Sequence, residues 1–137
     1  MKEIKHCLII DDDPDDQEIF LMCLITISNN FNCLTANDGI EAITMLKSNE
    51  EYIPDYIFLD VNMPKMNGIE CLKHIKEIDH LKNTKIFMYS TTSESNVVKE
   101  SKDLGADDFI IKPSKTSHLK EKLSEILNIV SEKTPKK

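Results

Sequence analysis

Tyr56-Ile57-Phe58-Leu59-Asp60-Val61-Asn62-Met63-Pro64 is an apolar run of strand length that ends in a carboxylate. Asn62 and then Pro64 stop the strand straight afterwards, since proline has no N–H to give a sheet ladder. One aspartate, Asp60, is thereby placed at the mouth of a buried sheet. A carboxylate so placed is a candidate nucleophile for a phosphoryl group. The surrounding chain must then bring up oxygen ligands for a cation, a lysine and a hydroxyl.

Outward toward the N-terminus, Asn37-Asp38-Gly39 reads as a turn, with Asp38 as N-cap and Glu41 in the capping-box position. Ile40, Ala42, Ile43 and Leu46 give helical spacing to about Ser48. Phe31 to Ala36 reads as a short strand. Before it, a helix starts near Pro14 and runs to about Ser28, apolar over much of its surface through Ile19, Phe20, Met22, Cys23, Leu24, Ile25 and Ile27. Cys7-Leu8-Ile9-Ile10 is a strand buried on both faces. It stops at Asp11-Asp12-Asp13-Pro14-Asp15-Asp16, a run suited to a helix start because carboxylates favour its positive end.

Outward toward the C-terminus, Asn67-Gly68 opens a helix with Ile69, Leu72, Ile75 and Ile78 on one face. Lys85 to Tyr89 is a strand, followed by the hydroxyl-rich Ser90-Thr91-Thr92-Ser93. A weakly amphipathic helix (Val97, Val98, Leu104) stops at Gly105. Phe109-Ile110-Ile111 is the last strand and ends at Lys112-Pro113. The last helix carries Leu119, Leu123, Ile126, Leu127 and Val130. Five strands alternating with five helices predict an α/β fold, doubly wound, with a mainly parallel sheet.

At 137 residues the chain reads as one domain, residues 1–130, with a polar tail over 131–137. A net charge of -7 argues against nucleic acid or an anionic membrane as the main partner. No apolar stretch has the roughly 20 residues of a membrane helix, and the N-terminus is no signal peptide. A cytoplasmic location is expected. Cys7, Cys23, Cys33 and Cys71 form no C-x-x-C pair, so they read as free, mostly buried thiols rather than zinc ligands.

Ligands of such a sheet bind at the carboxyl ends of the strands. Asp11 and Asp12 end the first strand, Asp60 the third, Ser90 the fourth and Lys112 the fifth. Three converging carboxylates repel one another unless a cation sits among them. Mg²⁺ suits them, as a hard ion that takes oxygen ligands, and the main-chain carbonyl of Asn62 offers another oxygen. Lys112 is placed to pair with phosphoryl oxygens and Ser90 to hydrogen-bond one. Each of these residues alone reads blandly, as a solvated turn or a cap; the joint arrangement is what points to phosphoryl chemistry. Asp13, Asp15 and Asp16 read as capping and solvation only, and His6, His74, His80 and His118 as surface residues.

The residues Ile-Ile-Asp-Asp-Asp-Pro (9–14), Leu-Asp-Val-Asn-Met-Pro (59–64), Met-Asn-Gly (66–68), Tyr-Ser-Thr-Thr (89–92), Leu-Gly-Ala-Asp-Asp-Phe (104–109) and Ile-Lys-Pro (111–113) resemble the receiver domain of bacterial two-component response regulators. The likeness covers about residues 4–130 and leans toward stand-alone regulators of Bacteroidetes-type bacteria, related to those that partner phytochrome kinases. It implies a flavodoxin-like sheet of order 2-1-3-4-5. It implies that Asp60 takes phosphate from a sensor histidine kinase or histidine phosphotransfer protein. Asp12, Asp60 and the Asn62 carbonyl would bind Mg²⁺ directly, with Asp11 acting through water.

Ser90 falls at the family's switch hydroxyl, often Thr, and Phe109 at its switch aromatic, often Tyr. Phosphorylation would then draw Ser90 in, let Phe109 follow, and repack the face of the fourth helix, fifth strand and fifth helix. The protein would be a monomer or a phosphorylation-dependent homodimer, its downstream target a protein, and its only catalysis its own phosphorylation and dephosphorylation. Two readings compete. One is a Mg²⁺-dependent phosphohydrolase, which in the haloacid dehalogenase type places a second Asp where Asn62 stands. The other is an interaction domain that is never phosphorylated.

Overall fold

The computed structural model describes residues 4–92 and 94–128. Val130, Ser93 and the tail over 131–137 lie outside the described residues, as does the boundary expected at 130. In chain order the elements are β1 (Lys5–Ile10), α1 (Pro14–Ile27), β2 (Phe31–Ala36), α2 (Gly39–Ser48), β3 (Tyr56–Leu59), α3 (Gly68–Lys76), a 3₁₀ turn (Asp79–Leu81), β4 (Lys85–Ser90), α4 (Ser95–Asp103), β5 (Asp108–Ile111) and α5 (Thr116–Ile126). All four strand pairings are parallel, in the order β2-β1-β3-β4-β5. This is the doubly wound flavodoxin-like fold that the alternation of strands and helices predicts.

The central strands alternate sides, so each feeds two cores. Leu8, Ile10, Ile57, Leu59, Ile86 and Met88 face α2 and α3. Cys7, Ile9, Phe58, Phe87 and Tyr89 face Phe20 and Leu24 of α1 and Leu119 and Leu123 of α5. Aromatic rings crowd the second core: Phe20 lies 4.7 Å from Phe58 and 5.5 Å from Tyr89, centroid to centroid. Burial of these strands on both faces is why their sequences are continuous apolar runs.

The helix starts follow their sequence signals closely. Asp13 caps α1, its carboxylate accepting from the Asp15 and Asp16 N–H groups, with Pro14 in the first turn. Asn67 and Glu70 form a full capping box on α3. At α2 the box is offset: Asp38 accepts from the Glu41 N–H, but Glu41 reaches back to the Asn37 N–H, one residue before the cap. The C-terminus of α4 closes as expected at Gly105. Its φ of +105° lets the Gly105 N–H reach Lys102 O and the Ala106 N–H reach Ser101 O, the paired bonds of a Schellman cap.

The apolar helix residues divide between core and solvent, and the extent of α3 needs correction. Ile19, Met22 and Ile25 of α1 are exposed, and Phe20, Cys23 and Leu24 alone of its apolar side chains are fully buried. Ile40 is exposed while Ala42, Ile43 and Leu46 face the core. Ile78 is buried but outside α3, which ends at Lys76, because the chain turns there into the 3₁₀ segment. Cys7, Cys23 and Cys71 are buried free thiols and Cys33 is half-buried. Of the histidines, His80 is half-buried, with a ring nitrogen 3.1 Å from Leu46 O. No described helix is long and apolar enough to cross a membrane.

Candidate phosphoacceptor site

Each residue expected at the sheet edge sits at the end of its strand, and the ladder holds its backbone there. The Asp11 N–H donates to Ala36 O at 3.1 Å, the Asp60 N–H to Ile10 O at 3.0 Å, and the Lys112 N–H to Ser90 O at 2.8 Å. Side chains from β1, β3, β4 and β5 are thus fixed by sheet register rather than by flexible loops. Asp11 is 1% exposed, Asp60 6% and Ser90 0%, whereas Asp12 is exposed. The carboxylates of Asp11, Asp12 and Asp60 each offer an oxygen within 4.8 Å of the others.

Lys112 Nζ stands among them. It lies 2.8 Å from Asp11 Oδ2, 2.8 Å from Asp16 Oδ2 and 3.7 Å from Asp60 Oδ2. Beneath it is the Tyr89 ring, 5.2 Å away at the centroid. Burial works against the ammonium charge, but the surrounding carboxylates outweigh it and raise the Lys112 pKa. Burial raises Asp11 as well, with the Lys112 ion pair and the Asp13 N–H opposing. Burial pushes Asp60 up to about 6; Lys112 opposes, Asp11 adds to the rise, and Ser90 and the Asn62 N–H oppose it.

That Asp11 and Lys112 are both raised looks contradictory for one ion pair. It follows from burial, which raises Asp11 by more than Lys112 lowers it, while the single ammonium is held by Asp11, Asp16 and Asp60 together. The deficit of positive charge at a set of hard oxygen donors is the property a Mg²⁺ site needs. The acidic cluster therefore fits the cation.

Ser90 and Phe109 sit as expected on β4 and β5, on either side of a parallel pairing. The Ser90 hydroxyl is buried and makes no hydrogen bond of normal geometry, although it lies near enough to Asp60 to favour its ionised form. Phe109 is half-buried against the α2/α3 core.

Three contributors were not legible in the same way. Asp16, read as a cap, instead pairs with Lys112; nothing local separates it from Asp15, and only the fold brings β5 beside it. Gln17 is buried, and its amide donates to Asp11 O at 2.6 Å and to Asn37 Oδ1 at 3.1 Å, tying β1 to the start of α2. A signal for it exists, since Gln17 shares a helix face with Phe20 and Leu24, and a polar group there must find partners. Gly68 is placed where an added Cβ would stand 2.1 Å from Asp60 O and 2.7 Å from Val61 Cα. Only a residue without a side chain lets α3 start this close to the acceptor loop, where the Gly68 N–H meets Val61 O at 2.7 Å.

Residues 7–124 match the response regulator receiver domain family. The chemotaxis protein CheY of Bacillus subtilis is 32% identical over 124 residues, which is 90% of this chain and 98% of that protein. The phosphorylated cyanobacterial phytochrome response regulator RcpA superposes with a TM-score of 0.81 at 28% identity, covering 90% of this chain and 91% of that one. CheY of Borrelia burgdorferi, solved with CheX, BeF₃ and Mg²⁺, superposes with a TM-score of 0.76 at 31% identity, covering 90% and 89%.

Proposed function

The chain belongs to the response regulator receiver domain family, and from that premise we propose that Asp60 is the residue that takes the phosphoryl group. Receivers of this kind accept phosphate on an aspartate in two-component signalling, which makes the domain a signalling module. The observation that carries the assignment to Asp60 is its position: a buried carboxylate at the end of β3, 3.7 Å from Lys112 and within 4.8 Å of two further carboxylates.

In this reading Asp60 oxygen attacks phosphorus of a phosphohistidine. The P–O bond forms as the P–N bond breaks, and the imidazole leaves with its electron pair. Such transfers need alignment and charge neutralisation more than covalent help. Asp12, Asp60 and the Asn62 main-chain carbonyl would hold Mg²⁺, with Asp11 behind them, and the bound ion would supply part of that neutralisation. Lys112 pairs with the phosphoryl oxygens. The Ser90 hydroxyl, which has no partner of normal geometry, donates to one of them. Asn62, two residues beyond the acceptor, cannot act as a general acid or base, which favours a lasting acyl phosphate over turnover of external phosphate esters. The donor is a histidine kinase or a histidine phosphotransfer protein, and the output is a changed protein-binding face around α4, β5 and α5.

Intact mass after incubation with acetyl phosphate and Mg²⁺ tests this. The parent gains one phosphoryl group, and chelation beforehand prevents the gain. Asp60→Asn gains none. Equal labelling of Asp60→Asn and the parent overturns the assignment.

A further inference from the structure

Outside the residues just assigned, the contact that the fold makes and the sequence hides is Asp16 to Lys112. An ammonium has three N–H donors. Two are spent at 2.8 Å, on Asp11 Oδ2 and on Asp16 Oδ2, while Asp60 Oδ2 stands at 3.7 Å. The cation is therefore drawn to the α1 side of the cleft, away from the acceptor. The two carboxylates that draw it differ in mobility. Asp11 is 1% exposed and pinned by the Asp13 N–H at 3.0 Å, whereas the Asp16 side chain is 34% exposed. Asp16 is thus the releasable arm.

We propose that Asp16 is a positioning residue that holds Lys112 in a waiting place beside the acceptor, its carboxylate competing with a phosphoryl group on Asp60 for the same ammonium. The inference rests on the acceptor role of Asp60. When a phosphoryl group arrives it brings more negative charge than Asp16 carries and takes a larger share of Lys112. Until then the Asp16 carboxylate holds the ammonium at 2.8 Å and leaves it 3.7 Å from the acceptor oxygen. The cost is that part of the lysine's attraction for phosphate is already spent.

Beryllofluoride, a phosphoryl mimic, tests this without a donor protein. Its binding at saturating Mg²⁺ is followed by fluorine NMR for the parent, Asp16→Asn and Asp15→Asn. Asp15 is the neighbouring exposed carboxylate, whereas the ion pairs of Lys112 are with Asp11, Asp16 and Asp60. Asp16→Asn should bind roughly fivefold tighter than the parent, the size expected for a partly buried charge contact. Asp15→Asn should bind as the parent does, and the affinity of Asp16→Asn for Mg²⁺ alone should stay within about twofold.

A residue that merely caps α1 would shift thermal stability without producing this split. Unchanged or weaker binding by Asp16→Asn overturns the competition, and so does an equal gain from Asp15→Asn, which would reveal general charge relief. If the parent itself binds no beryllofluoride and also fails the acetyl phosphate test, the acceptor reading falls and this inference with it. If the parent passes both and Asp16→Asn is unchanged, the inference alone falls.

Discussion

The two sides of the cleft are built to different standards. On the β1/β3 side, Asp11 is hydrogen-bonded, Gln17 braces the strand end, and α3 presses through Gly68 against the backbone of Asp60. On the β4/β5 side, Ser90 has no hydrogen bond of normal geometry, Phe109 is half-buried, and α4 begins without a side-chain cap and has Ser101 as its buried residue. The first side is a fixed seat for charge. The second has a buried hydroxyl in reserve, and its helix α4, unlike β4 and β5, has little apolar burial to lose, which is the local condition for a movable element. On the function proposed above, a phosphoryl group would be bound on the first side and read out on the second.

Lys112 spans the two sides, so its removal should break the contrast most severely. Lys112→Ala leaves Asp11 and Asp60 buried without their cation, and in metal-free buffer at neutral pH should cost about 3 kcal/mol or more, measured by urea unfolding. A loss under ~1 kcal/mol would mean that water already compensates these acids.

Gly68→Ala attacks the fixed side alone. The added Cβ meets backbone, which has nowhere to swing, and the expected loss is about 2–3 kcal/mol with reduced Mg²⁺ affinity. Unchanged Mg²⁺ affinity would separate the α3 contact from the site.

Asp60→Asn should act in the opposite direction. The folded pKa of Asp60, about 6, lies above an ordinary carboxyl near 4. The native state therefore binds more protons than the unfolded state between these values. The stability contributed by the protonated carboxyl is complete below about pH 4 and is lost as pH rises through about 6. Without metal, Asp60→Asn should be more stable than the parent by about 2 kcal/mol at pH 7.5, and the gap should close by pH 4. A gap independent of pH would contradict the burial argument.

The smallest effect belongs to the movable side. Ser90→Ala removes a hydroxyl with no partner to lose, so stability should change by less than about 0.5 kcal/mol. Amide chemical shifts of α4 and β5 should nonetheless respond less to beryllofluoride than in the parent. A full response would remove Ser90 from the switch.

The strands were legible because the parallel sheet buries both faces and leaves continuous apolar runs, as in Cys7–Ile10 and Tyr56–Leu59. The site was legible because strand ends are fixed once strands are found, which puts Asp11, Asp60, Ser90 and Lys112 on one edge. What depends on a distant element was not legible. Asp16 resembles its neighbours until β5 is laid beside it, and the Ile19, Met22 and Ile25 face of α1 counts as apolar by composition but meets no second layer. Gly68 announced a helix start, while its contact with the Asp60 backbone appears only when α3 is packed.

The Lys112 ammonium poised over the Tyr89 ring has an optical consequence. The chain contains no tryptophan and three tyrosines, Tyr52, Tyr56 and Tyr89. Tyr89 is the one next in sequence to Ser90 and under Lys112, locked in a fixed orientation by Phe20. A chromophore held in an asymmetric field absorbs left and right circularly polarised light unequally, and its signal changes when the nearby charge shifts. The near-ultraviolet dichroism of the unlabelled protein is thus a built-in readout of where the lysine stands, free of tryptophan background and of any attached dye.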